Sequence, residues 1–413
     1  MFLPLFFVAC NKDEIKLRKI ASIPVSDAAY IFTREGSRAS SGEGMGGVWK
    51  VTLDGEEVKL TVKDDEGNDV DVEILSVQDM LGNYLIVDTE VGRVLVDKKT
   101  NKIYECPNRL CIDERVEEYP SGTLYYIADQ GKIYKSKISS QSIIEEQLLP
   151  EGETGTDFFI GQNGTIYYST VFTVYHGEGI VMTQGKHMYP ITEDRSTCVM
   201  FGSADHNIYS LEGERGEFSI YKWENVSDYE IEKKQICKIP FELDDDGDVN
   251  IYAYDYYQYF APINTVSGNV VLFVGTSVYE FDGQSCILKR TYSGEELKFR
   301  NELLDRQMYV RPGESYKTIS KFVFFEDAPY NNGNAISLDP RTYEVESISY
   351  EIPEDQYEIR STKSHPSWGK MLFTALRYSD GSTVLGEVDD KGNFTIVSER
   401  ASTYEITEYI ALN

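Results

Sequence analysis

Apolar residues in this chain come in short runs, and a turn residue stops nearly every run. Val48-Trp-Lys-Val-Thr-Leu53 halts at Asp54-Gly55, Asn163-Gly164 precedes the run at 165–170, and Asp380-Gly381 follows the run at 371–376. Short runs rich in β-branched and aromatic residues read as strands, and Asn-Gly or Asp-Gly between them reads as a hairpin. Further runs lie at 30–33, 73–77, 84–89, 93–96, 124–128, 218–223, 270–274, 322–325 and 394–397. A helical period of about 3.6 residues is nearly absent. The nearest candidates are 295–308, where Leu297, Phe299, Leu303 and Leu304 could share a face, and the stretch 15–20. The pattern predicts an all-β chain.

A loose repeat runs through the strands. An aliphatic residue followed by an aromatic one recurs at Val48-Trp49, Ile103-Tyr104, Ile133-Tyr134, Ile166-Tyr167, Ile208-Tyr209, Ile220-Tyr221 and Val278-Tyr279. Grouped by these marks, the strands form eight modules starting near Asp27, Asp71, Cys111, Thr156, Thr197, Asp248, Thr318 and Gln356. Each is about 40 to 50 residues, the length of a four-stranded propeller blade. Many short antiparallel strands leave many open edges, and a ring protects them. A pair of β-sandwiches is the competing architecture, but no linker rich in Pro, Gly or Ser divides the chain. The Gly/Ser-rich stretch 36–47 falls inside the first module. The expectation is a single β-propeller of seven or eight four-stranded blades over residues 22–413, with 295–312 as an insertion.

Composition narrows function. The chain has 413 residues with 40 basic against 69 acidic side chains, a formal net charge of −29. Phosphate backbones and anionic lipid surfaces both require a basic footprint, so nucleic acid is excluded as a general partner.

Residues 2–9 read Phe-Leu-Pro-Leu-Phe-Phe-Val-Ala, followed by Cys10 and Asn11-Lys-Asp-Glu14. This apolar run is too short to span a bilayer, which takes roughly 20 residues. Apolar segment, small residue, cysteine, then polar residues resembles the end of a bacterial lipoprotein signal peptide. That resemblance implies a signal remnant over 1–9, lipidation of Cys10, and a tether over 10–21. Asn11-Lys-Asp-Glu14 is similar to the export signal that sends lipoproteins of the Bacteroidetes to the cell surface. With the degenerate repeat, the chain resembles the β-propeller lipoproteins of gut Bacteroidetes. The implied address is the outer membrane, facing outward or otherwise the periplasm. Five further cysteines remain, Cys106, Cys111, Cys198, Cys237 and Cys286, an odd number with no C-x-x-C pair. Cys106 and Cys111 could close a small loop, or all five could pack as buried thiols.

Few motifs carry chemistry. Gly42-Glu-Gly-Met-Gly-Gly47 matches a dinucleotide fingerprint, but a strand, not a helix, follows it, so it reads as a loop. Glu242, Asp244, Asp246 and Asn250, with Gly247 at the turn, suit a hard cation such as calcium, as in the calcium loops of integrin-like propellers; a solvated acidic turn is the plainer reading. Tyr254, Tyr256, Tyr257 and Tyr259 follow directly. They would either pack in a blade or stack on sugar rings. No catalytic residue is assigned. The expected function is non-catalytic binding of a ligand or partner, such as a glycan or an envelope protein, at one propeller face. A polysaccharide-degrading glycosidase or lyase and a structural subunit of an outer-membrane complex stand as alternatives.

Overall fold

The computed structural model describes residues 20–35, 46–80, 83–110, 116–119, 122–138, 144–149, 154, 157–160, 166–171, 178–184, 187–190, 198–202, 207–214, 217–227, 230–240, 262–264, 269–274, 276–307, 322–325, 331–339, 341–365, 368–399 and 405–412. These form an all-β protein with one helix among the described residues, α1 (Gly294–Gln307). Seven sheets have four strands and one has three, besides a two-stranded ribbon.

The second sheet comprises Ile74–Met80, Tyr84–Thr89, Gly92–Asp97 and Ile103–Glu105. The third comprises Val116–Tyr119, Thr123–Ala128, Lys132–Lys137 and Glu145–Gln147, and the fourth runs from Asp157–Ile160 to His187–Pro190. The fifth comprises Cys198–Gly202, Ile208–Glu214, Glu217–Ser227 and Glu230–Pro240. The sixth comprises Pro262–Asn264, Val270–Val274, Ser277–Phe281 and Cys286–Thr291. Phe322–Phe325, Asn332–Leu338 and Val345–Glu351 form the seventh; Tyr357–His365, Lys370–Arg377, Ser382–Val388 and Phe394–Ser398 form the eighth. Each neighbouring pair is antiparallel and adjacent in sequence, the arrangement that short turns impose. The eight sheets open at residues 28, 74, 116, 157, 198, 262, 322 and 357, one for each module read from the sequence. The helix falls between the sixth and seventh, over the stretch with the helical period, and Leu297 and Phe299 pack between those sheets.

The first sheet is assembled differently. Its order is Glu57–Lys59, Gly47–Thr52, Ala28–Glu35 and then Glu405–Ala411, the last strand of the chain. The ladder pairs Tyr30 with Ala411, Ile31 with Ile410, Phe32 with Tyr409 and Thr33 with Glu408. The packed chain already includes Ile20, which is buried, and Ala21, whose amide donates to the Lys63 carbonyl.

Most middle strands are buried on both faces, so their sequences are continuous apolar runs rather than alternating ones. Leu85 and Val87 pack toward the first sheet while Ile86 packs toward the third. Val271 packs toward the seventh sheet while Val270 and Leu272 pack toward the fifth. Met371 and Phe373 meet the seventh sheet while Leu372 meets the first. The aliphatic–aromatic pairs obey the same rule. Val48, Ile133 and Val278, each on the third strand of its sheet, face the following sheet, and Trp49, Tyr134 and Tyr279 face the preceding one. The first sheet fits this scheme only when Glu405–Ala411 is counted as its first strand.

One glycine is set by this packing. A Cβ at Gly386 would lie 2.2 Å from the ring Cζ of Phe373, which is fully buried. Gly386→Ala should therefore cost about 1–3 kcal/mol by overpacking. Ile410→Ala, at the seam between first and last strands, should cost about 2–4 kcal/mol by leaving a cavity. Urea unfolding reads both as a lower midpoint with unchanged slope.

Candidate functional site

The residues expected to bind or be modified, Cys10, the acidic group Glu242, Asp244, Asp246 and Asn250, and Tyr254, Tyr256, Tyr257 and Tyr259, all lie outside the described residues. Among the described residues no group of three or more His, Cys, Asp or Glu is placed to hold a metal ion.

The described chain offers an acidic group where the first, second and eighth sheets meet. Glu408 sits opposite Thr33 in the strand ladder that joins the chain's ends. Burial pushes its carboxyl above the usual glutamate range. Lys363 on the eighth sheet opposes that rise, and Asp88 on the second and Glu35 on the first add to it. Asp88 is treated oppositely. Burial works against its charge, but bonds from Arg93 (Nε–Oδ1 2.7 Å) and Ser76 (Oγ–Oδ2 3.0 Å) outweigh burial and hold it below the usual range. The two carboxyls are thus driven in opposite directions, Glu408 by burial and Asp88 by its bonded partners.

A second polar cluster caps the third sheet. Tyr126 and Tyr134 are directly cross-strand and stacked, with ring centroids 5.9 Å apart. Tyr126 donates to Glu145 (2.6 Å) and Tyr134 to Asp129 (2.7 Å). Arg109 bridges both acids, with Nε 2.9 Å from Asp129 and Nη1 3.1 Å from Glu145, and its guanidinium lies over the Tyr134 ring. Asp129 is held there by backbone geometry. Ala128 pairs with Lys132, and the three residues of the hairpin between them, Asp129, Gln130 and Gly131, all have positive φ (49°, 66° and 101°). The Tyr134 hydroxyl and Arg109 hold the Asp129 carboxyl below its ordinary range. Burial and the bond to Glu145 push the Tyr126 hydroxyl far up. Both rings are buried, so neither can stack on a ligand, whereas Arg109 and Asp129 are about half exposed. The cluster presents one donor and one acceptor at the surface and holds its protons tightly, which suits binding rather than proton transfer.

Other polar groups are latches. Lys370, Tyr30 and Glu387 tie the eighth sheet to the first, with Lys370 Nζ 2.9 Å from Tyr30 and 2.8 Å from Glu387. Arg34, fully buried, binds Glu57 of its own sheet at 3.0 Å and Ser398 across the same seam at 2.9 Å. Tyr343 and Lys289 both bind Glu280 between the sixth and seventh sheets. Sequence reasoning missed all of these, because the partners stand tens to hundreds of residues apart. Only the local turns were signalled. Asp380 accepts from Arg377 and from the Ser382 amide and hydroxyl in the hairpin expected there. Cys106 is a buried thiol pushed up to about 12 by burial, and Cys111 lies outside the described residues.

No family model and no curated protein matches the chain. Among solved structures it is similar to virginiamycin B lyase from Staphylococcus aureus, at 13% identity over 74% of this chain and 95% of that one, TM-score 0.35. It is also similar to the β-propeller domain of Cps50 (Swd1) from Myceliophteria thermophila, at 10% identity over 79% and 98%, TM-score 0.34. TolB from Acinetobacter baumannii matches at 12% identity over 82% and 81%, TM-score 0.31. The neighbours are β-propeller proteins, and a likeness this loose extends nothing to function.

The charge states here are testable. Glu408 is more easily protonated in the folded chain than in the unfolded one, so its contribution to stability is full below about pH 4.3 and is lost as pH rises through its folded value. Glu408→Gln should therefore raise the urea midpoint at pH 7, by less than about 1 kcal/mol because solvent still screens the carboxyl, and not at pH 4. At the alkaline end, Tyr30 and Lys370 hold their protons more tightly when folded. Their contribution is full below about pH 10 and falls above it. Tyrosinate absorbance should show a late-titrating fraction, including Tyr84, pushed up to about 12 by burial, that merges with the rest in urea.

Proposed function

We propose that the eight sheets are blades of one propeller and that the protein is an envelope lipoprotein, anchored through Cys10 and displayed outward, whose loop-bearing face binds a ligand or partner without catalysis. The packing sequence of the sheets supports the propeller part of this reading, and the Cys10 segment supports the anchor. The eighth rests on the first through Leu372, Leu385, Trp49 and Tyr409, and the last strand of the chain completes the first sheet. An annular stack accounts for both without leaving an open sheet face.

Connection lengths favour one face. Within an antiparallel meander, the hairpin between second and third strands and the crossover to the next sheet leave from the same end. The long connections 36–46, 60–73, 106–115, 148–156, 191–197, 241–261 and 292–321 are all of this kind. The opposite end has short turns such as 53–56, 98–102, 282–285 and 389–393. Glu35, Asp88, Arg109 and Asp129 stand at or beside the long-connection end. A rigid scaffold with long loops on one side is a common binding design. The net charge of −29 favours neutral, hydroxylated or cationic ligands over acidic ones. Glycans suit the half-exposed Arg109–Asp129 pair and the tyrosines at 254–259, with calcium at Glu242, Asp244, Asp246 and Asn250 as a cofactor of that loop. An envelope protein is the other partner this surface suits.

The divided behaviour of Glu408 and Asp88 favours a second reading, a polysaccharide-degrading enzyme with these two as acid and charged partner. One experiment separates the two. The chain lacking residues 1–14, which keeps Ile20 and Ala21 in place, is applied to a glycan array with calcium and with EDTA, and each hit is assayed for cleavage. Binding without cleavage, weakened at least about tenfold by Arg109→Ala, is the expected outcome. Cleavage abolished by Glu408→Gln or Asp88→Asn would replace the binding reading with the enzyme. Absence of any retained glycan would remove the glycan and leave a protein partner. Separately, labelled palmitate should enter the full chain in a lipoprotein-processing host and not the Cys10→Ala variant.

A further inference from the structure

Cys237 and Cys286 lie 49 residues apart in sequence, on the outermost strands of the fifth and sixth sheets, with their sulfurs 3.0 Å apart. That is inside ordinary contact distance for two unbonded sulfurs. Neither thiol is deeply buried. Two local devices bring them together. Cys237 pairs with Ile220 and Gln235 with Tyr221, so Ile236 is an extra residue in the strand, a β-bulge. A bulge breaks the alternation of side chains, and here both Ile236 and Cys237 pack on the layer between the two sheets. In an unbulged strand one of them would face away. On the other side, Cys286 pairs with Phe281 at the end of a tight turn. The Asp282 carboxylate fixes that turn by accepting from the amides of Gln284 and Ser285.

We propose that Cys237 and Cys286 form a disulfide that fastens the fifth sheet to the sixth, made by exchange with an external disulfide. The sulfurs need to close by about 1 Å to reach the usual bond length of about 2.05 Å, a shift within reach of side-chain rotation. The step balances without another oxidant. The Cys237 thiolate attacks one sulfur of the external disulfide, giving a mixed disulfide and releasing the first thiolate. The Cys286 thiolate then attacks the Cys237 sulfur and releases the second. The two protons lost by the cysteines end on the two released thiols, which are the reduced product. The two cysteines can exchange these roles, since each sulfur lies within reach of the other.

The bond would join strands that pair along one edge only. Cys286–Thr291 and the described side chains of Glu230–Pro240 are mostly exposed, and only inward-facing residues such as Ile239 anchor them. Residues 241–261 connect these two sheets along the chain, so the crosslink would close a loop around the segment with the acidic and tyrosine groups.

The test uses the full 413-residue chain. Reduced protein is freed of reductant under nitrogen, incubated with glutathione disulfide, alkylated and mapped by peptide mass spectrometry without reduction. The expected result is a Cys237–Cys286 linked peptide pair, lighter by two hydrogens, carrying no glutathione and split by dithiothreitol. The thermal midpoint should rise by roughly 5 °C on oxidation and fall back on reduction. Cys286→Ser should trap glutathione on Cys237, because the resolving thiol is gone. The wild-type map stands even if that variant folds poorly. Glutathione held separately on both cysteines, both recovered alkylated, or either linked to a different cysteine would overturn the proposal.

Discussion

The ladder between Ala28–Glu35 and Glu405–Ala411 is the interaction on which the other contacts rest. Without it, the first sheet would keep three strands and expose a full edge of backbone donors and acceptors, and the eighth sheet would lose much of the surface that covers it. The ladder is backed by apolar packing on both sides. Ile410 joins the layer toward the second sheet, and Tyr409, Ile406 and Ala411 join the layer toward the eighth. Polar latches tie the first sheet to the eighth, with buried Arg34 bound to Ser398 and partly buried Lys370 bound to Tyr30 and Glu387. A buried charge tolerates little displacement before it loses its partner, so Arg34 constrains how these two sheets sit together.

Face-to-face stacking explains the residues chosen elsewhere. A strand covered on one side alternates apolar with polar residues, while one covered on both sides has no polar position to spare. Val94-Leu95-Val96, Val270-Val271-Leu272 and Met371-Leu372-Phe373 are all of the second kind. Where two such layers come close, size must be traded across them, as Gly386 does for Phe373. The fourth strands of the sheets, such as Glu57–Lys59, Glu145–Gln147 and Cys286–Thr291, escape this rule. They touch a neighbour on one edge, remain largely exposed and hold the charged residues that give the chain its acidic surface. The proposed Cys237–Cys286 bond lies among those least anchored strands, where a covalent tie would add most.

Function in this architecture falls to groups the strands bring together at their ends. Glu408 and Asp88 are both carboxyls near one junction, yet burial governs the first and hydrogen bonding the second. The Arg109 cluster shows the opposite economy, with every phenol and carboxylate engaged. The two groups thus differ in what sets their charge: burial at Glu408, and bonded partners around Arg109.

Much of the fold was legible in the sequence. Short apolar runs and turn dipeptides determined that the chain is predominantly β, because strand period and hairpin chemistry are local properties. Several aliphatic–aromatic pairs, such as Val48-Trp49, Ile133-Tyr134 and Val278-Tyr279, serve two layers at once. The helix over 294–307 falls on the nearest candidate for a helical period, 295–308. The candidate site was not legible. Glu408 and Thr33, Arg34 and Ser398, and Cys237 and Cys286 meet only when distant strands are placed side by side, and no local pattern marks one glutamate among 69 acidic residues as half-buried. The bulge at Ile236 likewise shows only against its partner strand. Local chemistry chose the elements; which of them touch, and so which charges shift and which thiols meet, was decided by the stacking of sheets, because burial and proximity exist only in the assembled fold.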